Sequence, residues 1–352
     1  MLSEAIRPDA ASTLAYLTRE GVATRVISGD DPLTVGAVAR ATGVPGAEAA
    51  VAGPDLPPDG PDLEEVTERT VVYGRITPEQ KRDLVRAMTR RGRYVAMTGD
   101  GVNDVLALKE ARLGIAMGNG SQMAKGVADV VLLSNAFATV PRAVEEGRRI
   151  LRNTHRVAKL FVAKTVYSAV VLATLGLAPI AYPFLPRHLT IASTLTIGVP
   201  AFFLALAPSE GPVRREGFFP SLLAFVLPAG LVSALAIDTA YLLARGPLDA
   251  GVTEGRTAAV LVMTGMGLAI VVEVERGLEG RRVRPWVWGM VAAFVAALVG
   301  GLHVPALRSF FDLEVPGADV WALVAGCLAI GIALLIAVRR VPALRRIEAR
   351  GS

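Results

Sequence analysis

One cysteine stands in 352 residues, Cys327, and it lies inside a hydrophobic run, so no internal disulfide can form. Lysine is nearly as scarce: of 37 basic residues only five are lysine, leaving 32 arginines. That bias suggests a GC-rich genome rather than a nucleic-acid surface, and no nucleic-acid partner is expected. No signal peptide precedes the polar first part, which is therefore expected to be cytosolic. Apolar residues, by contrast, are abundant. A hydrophobic share of 52% and a mean hydropathy of +0.47 exceed what an ordinary soluble domain carries, yet the first 150 residues are not apolar enough to span lipid. The excess lies after residue 157.

Six hydrophobic runs follow, at 157–178, 189–207, 220–244, 257–275, 285–302 and 320–338. Each is near the ~20 residues that a bilayer core demands. With the polar part placed inside, the inner loops and tail carry Arg214, Arg215, Arg276, Arg281, Arg282, Arg284, Arg339, Arg340, Arg345, Arg346 and Arg350. The opposite loops carry only Arg187, Arg245, Arg256 and Arg308. This asymmetry predicts six spans of a multi-pass cell-membrane protein with a cytoplasmic polar part, and these loops largely explain the net charge of +5.

The polar part alternates strand and helix patterns, which marks a doubly wound parallel sheet. Helices are expected at about Pro8 to Glu20, Pro32 to Thr42 and from Pro78, with strands at Thr24 to Ser28, Val71 to Tyr73, Tyr94 to Met97 and Leu113 to Met117. Thr77, Pro78 and Gln80 spell a capping box for the third helix. A Pro/Gly/Asp-rich connection, Gly53 to Asp62, breaks the pattern. Functional loops then fall at the carboxyl ends of strands, where open α/β sheets bind ligands.

The densest chemistry runs from Met97 to Gly120. There an apolar strand enters the loop Thr98-Gly99-Asp100-Gly101-Val102-Asn103-Asp104, a helix starts near Asn103, and a second strand follows. Gly99 and Gly101 are expected to let the backbone turn tightly where a phosphate approaches. Two carboxylates and an amide within five residues make a hard-oxygen site suited to magnesium and to the charge developing in phosphoryl transfer. By itself, a Gly/Asp/Asn loop between strand and helix is equally compatible with a structural turn.

The loop resembles the GDGxND signature of the haloacid dehalogenase superfamily, and three neighbours narrow the resemblance to P-type, cation-transporting ATPases. Ser28-Gly29-Asp30, followed by Thr34, is similar to the family's TGD segment with Ser for Thr. The run Tyr73-Gly74-Arg75-Ile76-Thr77-Pro78-Glu79-Gln80-Lys81 is similar to the segment presenting the phosphorylation domain's lysine. Ala124-Lys125-Gly126-Val127-Ala128-Asp129-Val130-Val131-Leu132-Leu133 resembles the approach to the stalk helix. The family's phosphoacceptor motif, DKTGT, occurs nowhere in these residues. Nor do the nucleotide-binding insert, the actuator domain or the first four membrane helices.

The resemblance therefore implies the C-terminal portion of a pump. Residues 1–140 would be part of the phosphorylation domain, an incomplete haloacid dehalogenase-like α/β fold of Rossmann type. A stalk would follow at 141–156, an all-α bundle of six transmembrane helices at 157–338, and a basic cytosolic tail at 339–352. The strand bearing the missing aspartate would lie at the sheet's centre, so exposed core and free strand edges are expected.

By the same resemblance Asp100 is the magnesium ligand, and Asn103 and Asp104 position phosphate and cap the following helix. Lys81 sits against phosphoryl oxygens as a point charge. Ser28, Gly29 and Asp30 contact the phosphoryl group or order the hinge. Arg75, Thr98, Gly99 and Gly101 lie on the phosphate and nucleotide side. Asp104 as a purely structural cap and Arg75 as a surface residue are the plainer alternatives.

In the membrane half the transported inorganic cation would be held by the first two spans, at Lys164, Thr165, Ser168, Ser193, Thr196 and Pro200. Where calcium pumps place acids or an asparagine, this chain carries Ser168, Ser193 and Ile197, and neither span contains a carboxylate. Lys164 inside lipid is costly and so a functional candidate, with snorkelling or pairing to Asp238 as alternatives. Pro200 can free a carbonyl by breaking its helix. Glu273 and Glu275 are expected to be solvated at the inner surface.

The expected activity is ATP-driven cation transport with magnesium, in a lipid bilayer and together with an N-terminal half that supplies the aspartate. Without that half the chain is expected to be inactive. A phosphatase with a membrane anchor, or a non-catalytic subunit or remnant, are the alternatives.

Overall fold

Proline opens three helices of the first 146 residues. Asp31 accepts a bond from Leu33 N at 3.0 Å and opens α2 (Pro32–Ala41), which follows α1 (Ala10–Arg19). Pro61 opens α3 (Pro61–Arg69). Thr77 and Gln80 form the reciprocal box expected for α4 (Pro78–Arg90), with bonds of 3.2 and 3.1 Å. The computed structural model describes residues 6–207, 217–277 and 282–351. They divide into two compact units, Met1–Glu146 and Gly147–Ser352. Arg214, Arg215 and Arg281 lie outside the described residues.

The first unit holds two three-stranded, all-parallel sheets rather than one. The first, in order β1-β3-β2, contains β1 (Val26–Ile27), β2 (Ala50–Ala52) and β3 (Val72–Gly74). The second, in order β4-β5-β6, contains β4 (Ala96–Gly99), β5 (Leu113–Met117) and β6 (Val130–Leu132). Helices α5 (Val105–Glu110) and α6 (Gln122–Val127) connect the second sheet's strands. Among the described residues β1 pairs only with β3 and β4 only with β5. Each sheet thus ends in an unpaired edge, and those two edges lead into the Ser28 and Asp100 loops.

Strands of a parallel sheet are normally covered on both faces. β3 is buried throughout, but Ala96 and Thr98 of β4 are exposed. Leu84, Tyr73 and Leu63 fill one core, and Val85, Met97, Leu108 and Ala116 another.

Two expectations for this unit need correction. The connection at 53–62 is partly structured: β2 precedes it, a short 3-10 turn, Gly53–Asp55, opens it and α3 begins inside it. A strand this short, rich in alanine, leaves no period-2 signal to read. The strand expected from Tyr94 begins only at Ala96, and Tyr94 is exposed.

The second unit is helical. Among the described residues six helices are long and apolar enough to cross a membrane: α7 (Thr139–Leu175), the run Pro186–Leu206, α10 (Phe218–Arg245), α11 (Val252–Arg276), α12 (Pro285–His303) and α14 (Ala318–Arg339). The expected stalk and first span form one unbroken helix, α7, with no boundary at 157. The second span is broken into α8 (Pro186–Ser193), a π-helical turn (Thr194–Gly198) and α9 (Val199–Leu206). Pro200 lacks the N–H that a continuous helix would use, and the wider turn absorbs that loss. A short helix α13 (Pro305–Phe311) lies between α12 and α14.

α11 is the central helix. Val260, Val262, Met263, Met266 and Val271 are buried, with Tyr241 and Ile237 of α10 and Val324 and Cys327 of α14 around them. The basic tail is ordered. It forms α15 (Pro342–Gly351), and Glu348 is buried. Glu273 is also buried, and Glu275 pairs with Arg156 and Arg284, so neither is a solvated surface acid. Arg156 and Arg339, which join Glu275 and Glu273 from other helices, are contacts that no local pattern announces.

Candidate active site and membrane pocket

Asp104 organises the loop after β4. Its Oδ2 accepts the backbone N–H groups of Asp100 and Gly101, each at 3.1 Å. Its Oδ1 accepts Lys81 Nζ at 2.7 Å, in a pair whose side chains are each about nine-tenths buried. Gly99 is required for this packing. A Cβ there would lie 2.5 Å from Asp104 Cβ, whereas one on Gly101 would meet nothing closer than 3.6 Å. Neither glycine has a positive φ. Gly99 makes room for a carboxylate.

Asp104 does not cap the following helix. It stands at the N-cap of α5 without a side-chain cap bond, because both oxygens turn back to the loop and to Lys81. Lys81 is correspondingly held by Asp104. Asp100, Thr98 and Asn103 are exposed beside them.

A second loop supports Asp100 and was not assigned from sequence. Ser121 N donates to Asp100 O at 2.8 Å, and a Cβ on Gly120 would lie 2.8 Å from that same oxygen. Gly118-Asn119-Gly120 was visible in the sequence. Its approach to Asp100 is a non-local contact that no local pattern announces.

At the end of β1, Ser28 Oγ donates to Asp30 Oδ2 at 2.8 Å and accepts Asp30 N at 3.2 Å, with Gly29 exposed between them. Arg75, with φ of 52°, donates its N–H to Asp30 O at 2.7 Å. Its guanidinium reaches Asp31 Oδ2 at 2.7 Å. A non-glycine residue in the left-handed region is held by its surroundings. Asp31, which both caps α2 and holds Arg75, was missed by motif reading.

For magnesium the donor set is thin. Among the described residues no group of three or more His, Cys, Asp or Glu could hold a metal ion. Asp100 is the carboxylate left uncommitted in the loop. Magnesium usually keeps several waters and takes one or two carboxylates plus phosphate oxygens, so the set fits an ion held by Asp100 and completed by phosphate and water.

In the second unit a cavity of about 640 Å³ is lined by Lys164, Thr165 and Ser168 of α7 and by Ser193, Thr194 and Gly198 across from them. Lys164 Nζ donates to Ser193 Oγ, which donates onward to Leu189 O. Lys164 does not pair with Asp238, whose Oδ2 accepts Thr174 Oγ1 at 2.7 Å. Thr165 bonds Phe161 O of its own helix at 3.1 Å. Four of the six expected ion residues are therefore brought together, and two are not. Thr196 is buried, bonds Ala192 O at 2.7 Å, and would meet a Cβ on Gly267 of α11 at 2.6 Å. Pro200 is buried in α9 outside the cavity lining. The cavity face of this run is Ser193, Thr194, Ile197 and Gly198, and Thr196 lies off it. Among the described residues no carboxylate lines the cavity.

Comparison with known proteins agrees with both halves. Residues 1–112 and 82–144 match families described as haloacid dehalogenase-like hydrolase, and residues 181–341 match the cation transporting ATPase C-terminus. A calcium-transporting ATPase CtpE of Mycolicibacterium smegmatis is 39% identical over 348 residues, covering 95% of this chain and 43% of that protein. A probable cation-transporting ATPase F of Mycobacterium tuberculosis is 32% identical over 374 residues, covering 99% of this chain and 40% of that one. A calcium-transporting ATPase of Bacillus subtilis is 28% identical over 344 residues, with 94% and 39% covered. The chain spans less than half the length of these relatives.

Proposed function

Because the chain belongs to the P-type cation-transporting ATPases, whose C-terminal portion it matches, we propose that it supplies the magnesium and phosphate site and six membrane helices of an ATP-driven cation pump. The phosphoacceptor aspartate comes from a strand outside these residues. One observation carries this reading. The Ser28 and Asp100 loops lie at the carboxyl ends of β1 and β4, and both are unpaired edge strands of parallel sheets. A parallel strand paired to both edges would complete one sheet, cover exposed Thr98, and end beside both loops.

In the completed site Asp100 holds magnesium, which neutralises charge on the transferring phosphoryl group. Ser28 and Asp30 contact its oxygens, while the Lys81–Asp104 pair keeps the Asp100 loop in shape. Arg75, held by Asp31, lies on the nucleotide side. The chain alone, lacking a nucleophile, carries out no covalent phosphoryl transfer.

The cavity of Lys164, Thr165, Ser168 and Ser193 is the path of the cation in the bilayer. The cargo of the mycobacterial relative is calcium by its name. A calcium ion takes about six to eight oxygen ligands, commonly with carboxylates, and this cavity offers hydroxyls and an ammonium. It therefore handles a weakly hydrated ion, or a single calcium whose charged ligands come from the pump's remaining helices. Lys164 acts as a fixed countercharge that favours release. The test is co-expression, in a multi-pass cell-membrane setting, with a chain bearing the DKTGT motif. Cation-stimulated ATP hydrolysis that needs both chains supports the reading, and hydrolysis unchanged by the addition of this chain overturns it.

A further inference from the structure

The C-terminal helix is docked through a buried charge cluster. Glu348 of α15 is only 4% exposed, with Oε1 2.6 Å from Lys159 Nζ of α7 and 3.5 Å from Arg339 Nη2 of α14. Its backbone carbonyl accepts Ser221 Oγ of α10 at 2.8 Å. Lys159 and Arg339 also lie over the Phe225 ring, at 4.9 and 4.8 Å from its centre. Arg339 Nη1 continues the chain to Glu273 of α11, 2.7 Å from the carbonyl and 3.0 Å from the carboxylate. One cluster thus joins α7, α10, α11, α14 and α15.

A buried ion pair adds little net stability over an apolar packing of the same shape, but losing one partner is costly. Such a cluster fixes one arrangement of the helices against its neighbours. What it fixes is α7. Lys159 lies five residues before Lys164, about 7.5 Å along the same helix axis. Phe161, Lys164, Thr165 and Ser168 line the cavity from this helix. A shift of α7 that broke Lys159 from Glu348 would also draw Lys164 from Ser193.

We propose that Glu348 is a positioning residue. α15 is a latch that clamps α7 through Lys159 and so holds the cavity in the form seen here, and its release lets α7 move. The consequence for ion handling rests on the cavity being the cation path, but the clamp itself does not.

The clamp is tested on the full chain in lipid nanodiscs by backbone amide exchange, with no need for pump activity. Glu348→Gln and Lys159→Met are each expected to speed exchange across residues 155–165 by about tenfold or more, as loss of a buried partner requires. The double variant should be no faster than the faster single one, because both remove the same contact. Lys159→Arg should stay near wild type. Ser221→Ala loosens α15 without stranding a charge, and it should give the same pattern at smaller size if the other variants fold poorly. Exchange in α11, at residues 260–270, should not change in any of them. Wild-type exchange at 155–165 in both Glu348→Gln and Ser221→Ala overturns the proposal, as does acceleration of α11 equal to that of α7. In the two-chain pump, Glu348→Gln should shift the cation concentration for half-maximal stimulation while leaving maximal phosphorylation intact. An inactive two-chain pump with altered α7 exchange would count against the cation-pump reading and leave the clamp standing.

Discussion

Lys81 Nζ stands 2.7 Å from Asp104 Oδ1, and the other oxygen of that carboxylate holds two backbone N–H groups of the Asp100 loop. The lysine therefore reaches the loop through the aspartate. Removing either partner leaves the other buried without its countercharge. Lys81→Met and Asp104→Asn should each destabilise the first unit by about 3–5 kcal/mol, read as a lower denaturant midpoint or faster proteolysis of residues 1–146 in the full chain. Wild-type resistance in both would show that the pair does not shape the loop.

The two loop glycines should behave differently. Gly99→Ala places a methyl 2.5 Å from Asp104 Cβ, while at Gly101 the nearest neighbour is 3.6 Å away. Gly99→Ala should cost about 1–3 kcal/mol by overpacking, and Gly101→Ala should cost less than half as much. Thermal unfolding of the two variants side by side decides it, and equal losses would contradict the geometry.

The first unit should lose stability in acid through its arginine-paired carboxylates. Hydrogen bonding to Arg86 holds Glu110 below the ordinary glutamate value, and Arg90 does the same for Asp59. A depressed carboxylate contributes stability that is fully present above its unfolded pKa and is lost as pH falls through the folded one. Unfolding should therefore become easier below the ordinary carboxylate range, and Arg86→Ala should flatten that dependence. An unchanged acid limb in Arg86→Ala would remove Glu110 from the account.

In the membrane unit the cavity separates two hydroxyls that the sequence placed together. Ser168 lines it and Thr196 does not. In a reconstituted two-chain pump, Ser168→Ala should raise the cation concentration needed for stimulation several-fold and Thr196→Ala should change it little. The reverse order would place the ion path on the α11 side of the π-turn.

The placement of the candidate site residues was legible because they sit in short ordered motifs. Ser28, Asp30, Lys81, Asp100 and Asp104 all fall at strand ends or on α4, where the alternating pattern put them. The capping box of Thr77 and Gln80 was equally local. What could not be read were partners distant in sequence: Ser121 against Asp100, Asp31 against Arg75, Glu348 against Lys159. Thr196 was placed by resemblance rather than by helical phase, and the face that lines the cavity is Ser193, Thr194, Ile197 and Gly198. The tail, basic by its arginines, carries a single acid, Glu348, and it is that acid which is buried.

The central claim is that this chain provides the Asp100 site to an aspartate carried on another strand. The most direct measurement combines the chain with a DKTGT-bearing partner, adds magnesium and radiolabelled ATP, and follows acid-stable, hydroxylamine-labile phosphate. The account predicts label on the partner only when this chain is present, abolished by Asp100→Ala. Label on this chain alone, or undiminished label with Asp100→Ala, would contradict it.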